Sequence, residues 1–366
     1  MIALLIGLLF GSAGPPAPRL IAPKESVAGA VAFRFSSPAK GLRYRCALDS
    51  AAAKPCTSPH VVRLGRGIHA FRVQAVDQQG RRSAFARASV EVAPASVRVG
   101  QSPVALTFGA GALWTADYGG GTVTRIERGT VKAKIAIGGQ PSGVAFAGGS
   151  IWVGDFGPNG LLTRVDPARN AVVAHVALGG QPAGLLGAGN TLWVADNGGF
   201  VDRVDTATNM VVARVPIGGN PEALALGFNL LWVTNQDGTL SAVDPATNAV
   251  AGAKVTGDRD LDAVAIAPDA VWATSFSRGT LLKIDPVARR VLRRVRLGGE
   301  GAGVLVLGRS VYASVYDAGL VVRVNAATGR IVERLRVGSK PRDIVFDGRT
   351  IWVVNQGSNT VSRVKP

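Results

Sequence analysis

One stretch, Pro141 to Val165, returns with changes through the last three quarters of the chain. Its fixed point is a tryptophan. Trp114, Trp152, Trp193, Trp232, Trp272 and Trp352 recur, and Tyr312 fills the midpoint of the one double-length gap. Steps of 38, 41, 39, 40, 40 and 40 residues separate the seven anchors. Eleven residues before them stand Pro103, Pro141, Pro182, Pro221, Leu261, Gly301 and Pro341. Proline at five of these seven positions is more than composition would produce, so the units are copies of one module.

A period near forty residues, with several short strands per unit, is the signature of a β-propeller. In the second unit the pattern predicts an innermost strand Gly143–Ala147, then Ser150–Asp155, Leu161–Asp166 and an outermost Ala171–Leu178. Apolar and small or polar residues alternate along them, as in strands with one face against a neighbouring sheet. Ala147-Gly148-Gly149 makes a tight first turn. Asp166-Pro167-Ala168-Arg169-Asn170 makes the third, with proline presetting φ and aspartate bonding its own backbone. The tryptophan supplies bulk between sheets. The propeller spans 95–366. It opens with Ser96–Val99, which matches the end of a unit, and stops after a third strand, Thr360–Val364. The expected fold is all-β: a seven-bladed propeller of four-stranded blades. Residues near Ser96–Val99 complete the blade built from Arg342–Phe346, Thr350–Asn355 and Thr360–Val364, which removes an exposed edge.

Residues 1–14 combine an apolar run with Gly-Ser-Ala-Gly and read as a secretory signal peptide, too short to span a bilayer. No later stretch is long and apolar enough for a membrane helix. The protein is therefore expected outside the cytoplasm, secreted or in the periplasm or cell envelope. Residues 15–23 are proline-rich and read as a linker. Residues 24–93 form a different unit, with no tryptophan and no forty-residue period. Its strands are expected at Val31–Ser36, Arg43–Leu48, Val61–Leu64, His69–Val76 and Ala86–Val92, with a hairpin turn at Asp77-Gln78-Gln79-Gly80. The runs Cys46-Ala47-Leu48-Asp49, Cys56-Thr57-Ser58-Pro59 and Gly67 to Asp77 resemble the small immunoglobulin-like modules of secreted bacterial proteins, and they imply that fold here. Cys46 and Cys56 are the only cysteines. An even count, an export signal and a β-rich setting argue for one disulfide between them. His60 and His69 lie nearby, but the cysteine spacing does not suit a zinc site.

The net charge is +17, with +9 over residues 15–95 and +8 over 96–366. Arg289, Arg290, Arg293, Arg294 and Arg296 cluster on one outermost strand, and Arg330, Arg334 and Arg336 on the next. Such residues protect a sheet edge from pairing. They also attract polyanions, whether nucleic acid, an anionic wall polymer or lipid headgroups.

A ligand on a propeller meets the face that holds the channel mouth. The residues three and four after each anchor lie there: Asp117 and Tyr118, Asp155 and Phe156, Asp196 and Asn197, Asn235 and Gln236, Ser275 and Phe276, Val315 and Tyr316, Asn355 and Gln356. Residues just after the repeat proline position line the channel: Val104, Ser142, Ala183, Glu222, Asp262, Ala302 and Arg342. These positions vary between units more than the scaffold does, and variation among equivalent loops is where a repeat protein holds specificity. Asp117, Asp155 and Asp196 also suit Asx capping of glycine-rich turns. Glu222 and Asp262 are expected to face the channel from adjacent blades and to suit a cation or cationic ligand. Arg342, placed elsewhere on the ring, suits an anion.

Trp232-Val233-Thr234-Asn235, Trp352-Val353-Val354-Asn355 and Val243-Asp244-Pro245-Ala246-Thr247-Asn248 resemble YVTN-type repeat proteins. The proline-to-Leu-Trp spacing is similar to that of the streptogramin B lyases. The resemblance covers about three quarters of the chain and implies a seven-bladed propeller. For the lyases it further implies channel-mouth histidine and glutamate with a magnesium ion. The chain departs from that pattern: His60 and His69 lie in the first unit and His175 on an outermost strand, so the elimination lacks a histidine base. The reading is an exported, non-catalytic binding propeller, monomeric and without a cofactor. Its partner is a protein, a small molecule or a cell-envelope polymer. The alternatives are a lyase-like enzyme using channel carboxylates and a divalent cation, and a polyanion binder, nucleic acid included.

Overall fold

The computed structural model describes residues 14–366 apart from Lys24, Ala28, Arg66, Pro94, Pro158 and Asn159. Save for Gly14, the signal segment expected at 1–14 lies outside the described residues. The chain divides between Ala95 and Ser96 into two compact units. No helix among the described residues is long and apolar enough to cross a membrane.

The first unit contains a three-stranded and a five-stranded sheet. Arg19–Ile21, Gly29–Ser36 and His60–Leu64 form one. The other runs Glu25–Val27, Ala86–Ala93, Gly67–Val76, Arg43–Leu48 and Lys54–Cys56, with its first pair parallel. Val31, Phe33 and Phe35 of one sheet share a core with Phe71, Val73 and Val90 of the other, and the Phe33 and Phe71 rings stack at 4.0 Å. The segment expected as a linker is part of this unit: Arg19–Ile21 pairs with Phe35 and its neighbours, because Leu20 and Ala22 have apolar surface to bury on that core. Cys46 and Cys56 are disulfide-bonded. At Asp77–Gly80 the hairpin turn closes through Gly80 N–H to the Asp77 carbonyl (3.1 Å).

Among the described residues the second unit holds seven antiparallel sheets, numbered in chain order. Their inner strands are Pro103–Gly109, Pro141–Ala147, Pro182–Ala188, Pro221–Gly227, Leu261–Ala267, Gly301–Leu307 and Pro341–Phe346. Neighbouring inner strands pack side by side, and the seventh packs against the first. This is a β-propeller around a central channel. Sheet 2 has the four strands the pattern predicted, Pro141–Ala147, Ser150–Asp155, Leu161–Asp166 and Ala171–Ala177. Sheet 4 breaks its outer strand into Ala249–Val250 and Val255–Thr256, with Gly252 between them at φ 66°. Sheet 7 takes its outer strand from Ser96–Arg98: Val97 lies opposite Val361 and Arg98 opposite Thr360.

Each anchor aromatic packs forward into the following sheet. Trp114 lies with Val144, Ile151 and Val153 of sheet 2, Trp152 with Leu192 and Val194 of sheet 3, and Trp352 with Leu106 and Leu113 of sheet 1. A cation covers the indole. Arg125, Arg164 and Arg203 lie 5.3, 5.4 and 5.2 Å from the rings of Trp114, Trp152 and Trp193. Each then crosses to the outer turn of the next sheet, where its guanidinium donates to Asn170 (2.9 Å), Asn209 (2.8 Å) or Asn248 (3.1 Å). Those asparagines have φ of 53°, 59° and 55°, a region asparagine tolerates better than most residues. The arginine therefore staples sheet to sheet.

Candidate functional site

Every inner strand starts with an irregularity. In sheet 4, Pro221 pairs with Asn235 and Leu224 with Val233, so Glu222 and Ala223 fall outside the regular ladder. Sheets 5 and 7 repeat this at Asp262 and Arg342. A bulge re-aims side chains, here into the channel. Hydroxyls of the second strand stabilise it. Thr234 accepts Ala223 N–H (3.0 Å) and donates to the Asp262 carbonyl of sheet 5 (3.2 Å). Thr274 accepts Ala263 N–H (3.1 Å) and donates to the Ala302 carbonyl of sheet 6. Ser314 donates to the Arg342 carbonyl of sheet 7. Backbone that has lost its ladder partner is thus satisfied.

The cavity so formed has a volume of about 430 Å³ and is lined by inner strands of all seven sheets. Val104, Ser142, Ala183, Glu222, Asp262 and Arg342 all border it, whereas Ala302 is buried beneath the wall. Phe108, Phe146 and Leu186 lie further along the same strands, so the cavity is apolar at one end and charged at the other.

Arg342 does not stand apart from the acids, as the sequence reading had it. Its guanidinium reaches across to Asp262 Oδ1 at 3.3 Å, with the two side chains 31% and 17% exposed. It also lies 5.9 Å from both the Phe276 and Tyr316 rings, which meet edge to face at 5.2 Å. Tyr316 donates its hydroxyl to Gln356 Oε1 (2.9 Å), and Gln236 Nε2 donates to Glu222 Oε1. Burial, and then the neighbouring Asp262 charge, push the Glu222 carboxyl up to about 7. Burial also raises Asp262, against the pull of Arg342. Burial opposes the Arg342 charge too, but Asp262 and Glu222 more than offset it and hold its pKa above the ordinary value. The sequence reading missed Asp343. Its carboxylate accepts Leu106 N–H of sheet 1 (3.1 Å) and Ile344 N–H (2.8 Å), and burial raises it to about 6. Its place directly after a channel residue was the available signal.

The residues three and four after the anchors part company. Asp117, Asp196, Asn235 and Asn355 are fully buried and lie below the channel-mouth face rather than on it. Asp117 accepts hydroxyls from Thr115 (2.7 Å), Thr122 (2.9 Å) and Thr124 (2.6 Å). Asp196 accepts Gln181 and Gly198 N–H and pairs with Arg214 at 2.5 Å. Asn235 and Asn355 donate to Ser241 and Ser362, each at 2.9 Å. A glycine packs over each, and at Gly180 a Cβ would collide with the Asp196 carboxylate. Asp155 is half-buried and caps its turn through Gln140 (2.6 Å) and Gly157 (2.9 Å) N–H. Among the residues four after, Gln236, Phe276, Tyr316 and Gln356 gather beside Glu222, Asp262 and Arg342 along sheets 4 to 7. Tyr118 bonds Gln140 (2.9 Å), and Phe156 and Asn197 are half-buried on sheets 2 and 3.

Among the described residues, no group of three or more His, Cys, Asp or Glu side chains is placed to hold a metal ion. His175 sits on the outer strand of sheet 2, with Nδ1 3.1 Å from the Thr163 hydroxyl.

No protein-family model and no curated protein sequence matches the chain. Among solved structures it is similar to a chain described as Kuenenia stuttgartiensis hydrazine synthase, with a TM-score of 0.65 and 19% sequence identity. The alignment covers 72% of this chain and 96% of that one. At that identity the likeness is one of fold.

Proposed function

We propose that this chain is an exported, non-catalytic binding protein whose channel mouth takes a positively charged group, from a small molecule or from a side chain of a protein partner. One observation carries the reading. Glu222, Asp262 and Arg342, from three different sheets, converge on one cavity beside the Phe276–Tyr316 pair. Arg342 pairs with Asp262 and attracts Glu222 from further off, and among the described residues the hydrogen-bond partner of the Glu222 carboxylate is the Gln236 amide. A bound cation would complete that charge balance, and an aromatic wall adds cation–π attraction. The seven sheets are read as the blades of a seven-bladed, YVTN-type propeller. The N-terminal unit is read as an immunoglobulin-like module, supported by its two packed sheets and shared phenylalanine core. A disulfide suits an oxidising compartment and supports export.

Isothermal titration and thermal melting of the full chain with putrescine, agmatine and choline test the reading. At least one is expected to bind, raising stability by about 1.4 kcal/mol at ten times its Kd. Glu222→Gln with Asp262→Asn should abolish that gain without unfolding the protein. Three inert probes, or a double variant that binds as the parent does, would overturn it.

A further inference from the structure

The rim of the propeller carries a feature independent of the channel. The outer strands are Arg290–Arg296 in sheet 5 and Ile331–Arg336 in sheet 6. Strand register sets Arg294 opposite Leu282 and Arg334 opposite Val322, which are equivalent places. Arg296 lies opposite Thr280, Arg336 opposite Leu320 and Arg98 opposite Thr360, again equivalent. One row, Arg294 and Arg334, therefore spans sheets 5 and 6, and the other, Arg296, Arg336 and Arg98, spans sheets 5, 6 and 7. All five are exposed. Arg294 pairs with Asp258 at 2.9 Å, while the other four make no ion pair among the described residues.

Edge protection is the ordinary reason for charge on an outer strand. It does not explain the three-sheet row, because the equivalent places on sheets 1, 2 and 3 are held by Ala136, Ala177 and Pro216. Sheet 3 carries Arg214 at the place of Arg294 and Arg334, but there Asp196 engages it. Guanidinium also differs from ammonium in offering a planar fork that fits phosphate bidentately.

We propose that this arc of the rim docks a flexible anionic polymer without bases, with its phosphate-type groups seated in the two arginine rows. Charges repeated from sheet to sheet suit charges repeated along one chain. The strands carrying the rows contain no aromatic side chain, so bases would find no stacking platform. A flexible chain can follow a convex rim that a flat bilayer would touch along one sheet only.

Binding of long-chain inorganic polyphosphate to the full chain tests this at 50 and 200 mM salt. With four phosphate contacts the affinity should fall about fiftyfold over that range, taking the single-strand slope. The triple variant Arg296→Glu, Arg334→Glu, Arg336→Glu should bind at least tenfold more weakly with an unchanged melting temperature, because these side chains make no ion pair among the described residues. Lys132→Glu with Lys134→Glu, on the outer strand of sheet 1, should bind as the parent does. Undiminished binding by the triple variant would overturn the proposal. So would capture of single-stranded DNA or anionic phosphatidylglycerol vesicles without binding of polyphosphate.

Discussion

Asp202 is the side chain most at odds with its surroundings. It is fully buried on the third strand of sheet 3, and neither carboxylate oxygen has a hydrogen-bond partner. Arg214 Nε stands 3.7 Å away, but Asp196 already engages that guanidinium at 2.5 Å. At the equivalent place other sheets have Thr124, Thr163, Ser241 and Ser362, whose hydroxyls suit a carboxylate or amide neighbour. Burial raises Asp202 to about 6, above an unfolded value near 3.8. A raised carboxyl costs stability as pH rises from the unfolded to the folded value, and the cost is complete above about 6. Asp202→Thr should therefore stabilise the protein by ~2 kcal/mol at pH 7.5, and the gain should shrink towards pH 4. Urea unfolding of both proteins at the two pH values checks this, and a gain that grows on acidification would refute it. The same scale shows what the sequence could and could not disclose about the site. Polar residues near the mouth were recognisable from their spacing. Their sorting was not, because Asp117 and Asp196 turn inward only where threonine, glycine or arginine on other strands receives them. Likewise, the pairing of Arg342 with Asp262 joins residues 80 apart through ring geometry, which no local pattern encodes.

At the scale of elements, the stapling arginines were written in the chain all along. Arg125, Arg164 and Arg203 follow their anchors by ten to twelve residues, and Lys283, which reaches the Ala326 carbonyl of sheet 6 (3.3 Å), does so after Trp272. Their role emerges only from register, which sets Trp152 opposite Arg164 and Trp193 opposite Arg203. Sheet 4 is the exception that explains the rule. Trp232 lies opposite Ala242, and its cation comes instead from Arg289, 5.3 Å away in the outer turn of sheet 5. Arg289 occupies the turn position held by Asn170, Asn209 and Asn248 elsewhere, and shares their positive φ at 51°. Donor and receiver have exchanged places, leaving the indole covered. Arg289→Asn alone should cost ~1–2 kcal/mol through loss of the cation–π contact and of the bond to the Ala253 carbonyl (3.1 Å). Ala242→Arg alone should cost a similar amount, since a second cation crowds the same ring. Together they rebuild the arrangement of sheet 3, so the double variant should lie within about 1 kcal/mol of the parent. A double-mutant cycle by thermal unfolding reads this coupling, and additive losses would sink the exchange.

For the whole molecule, ring closure is the feature on which the site depends, because the channel exists only while sheet 7 meets sheet 1. Ser96–Arg98 joins the two ends of the unit: Val97 and Val99 share a buried cluster with Leu106, Leu113, Trp352, Val354 and Val361, and Val99 N–H donates to the Asn359 carbonyl at 3.0 Å. This much was legible in the chain, since an unmatched outer strand at its start answers a missing one at its end. Removing residues 95–100 would take away two buried valines, whose burial contributes ~1.5–3 kcal/mol each, together with the ladder bonds to Thr360–Ser362. For a unit of this size each kilocalorie shifts the melting temperature by about 2–4 °C, so a fall of roughly 10 °C or more is expected. The bared edge of Thr360–Val364 should also pair between molecules, shifting the deletion to higher oligomers on gel filtration. Asp343, whose carboxylate bonds Leu106 N–H across the same seam, should lose that partner, and the Arg342–Asp262 pair its fixed geometry. Cation binding should then weaken along with stability. A deletion that melts with the parent and keeps its affinity would mean that the ring is held shut by something other than this strand.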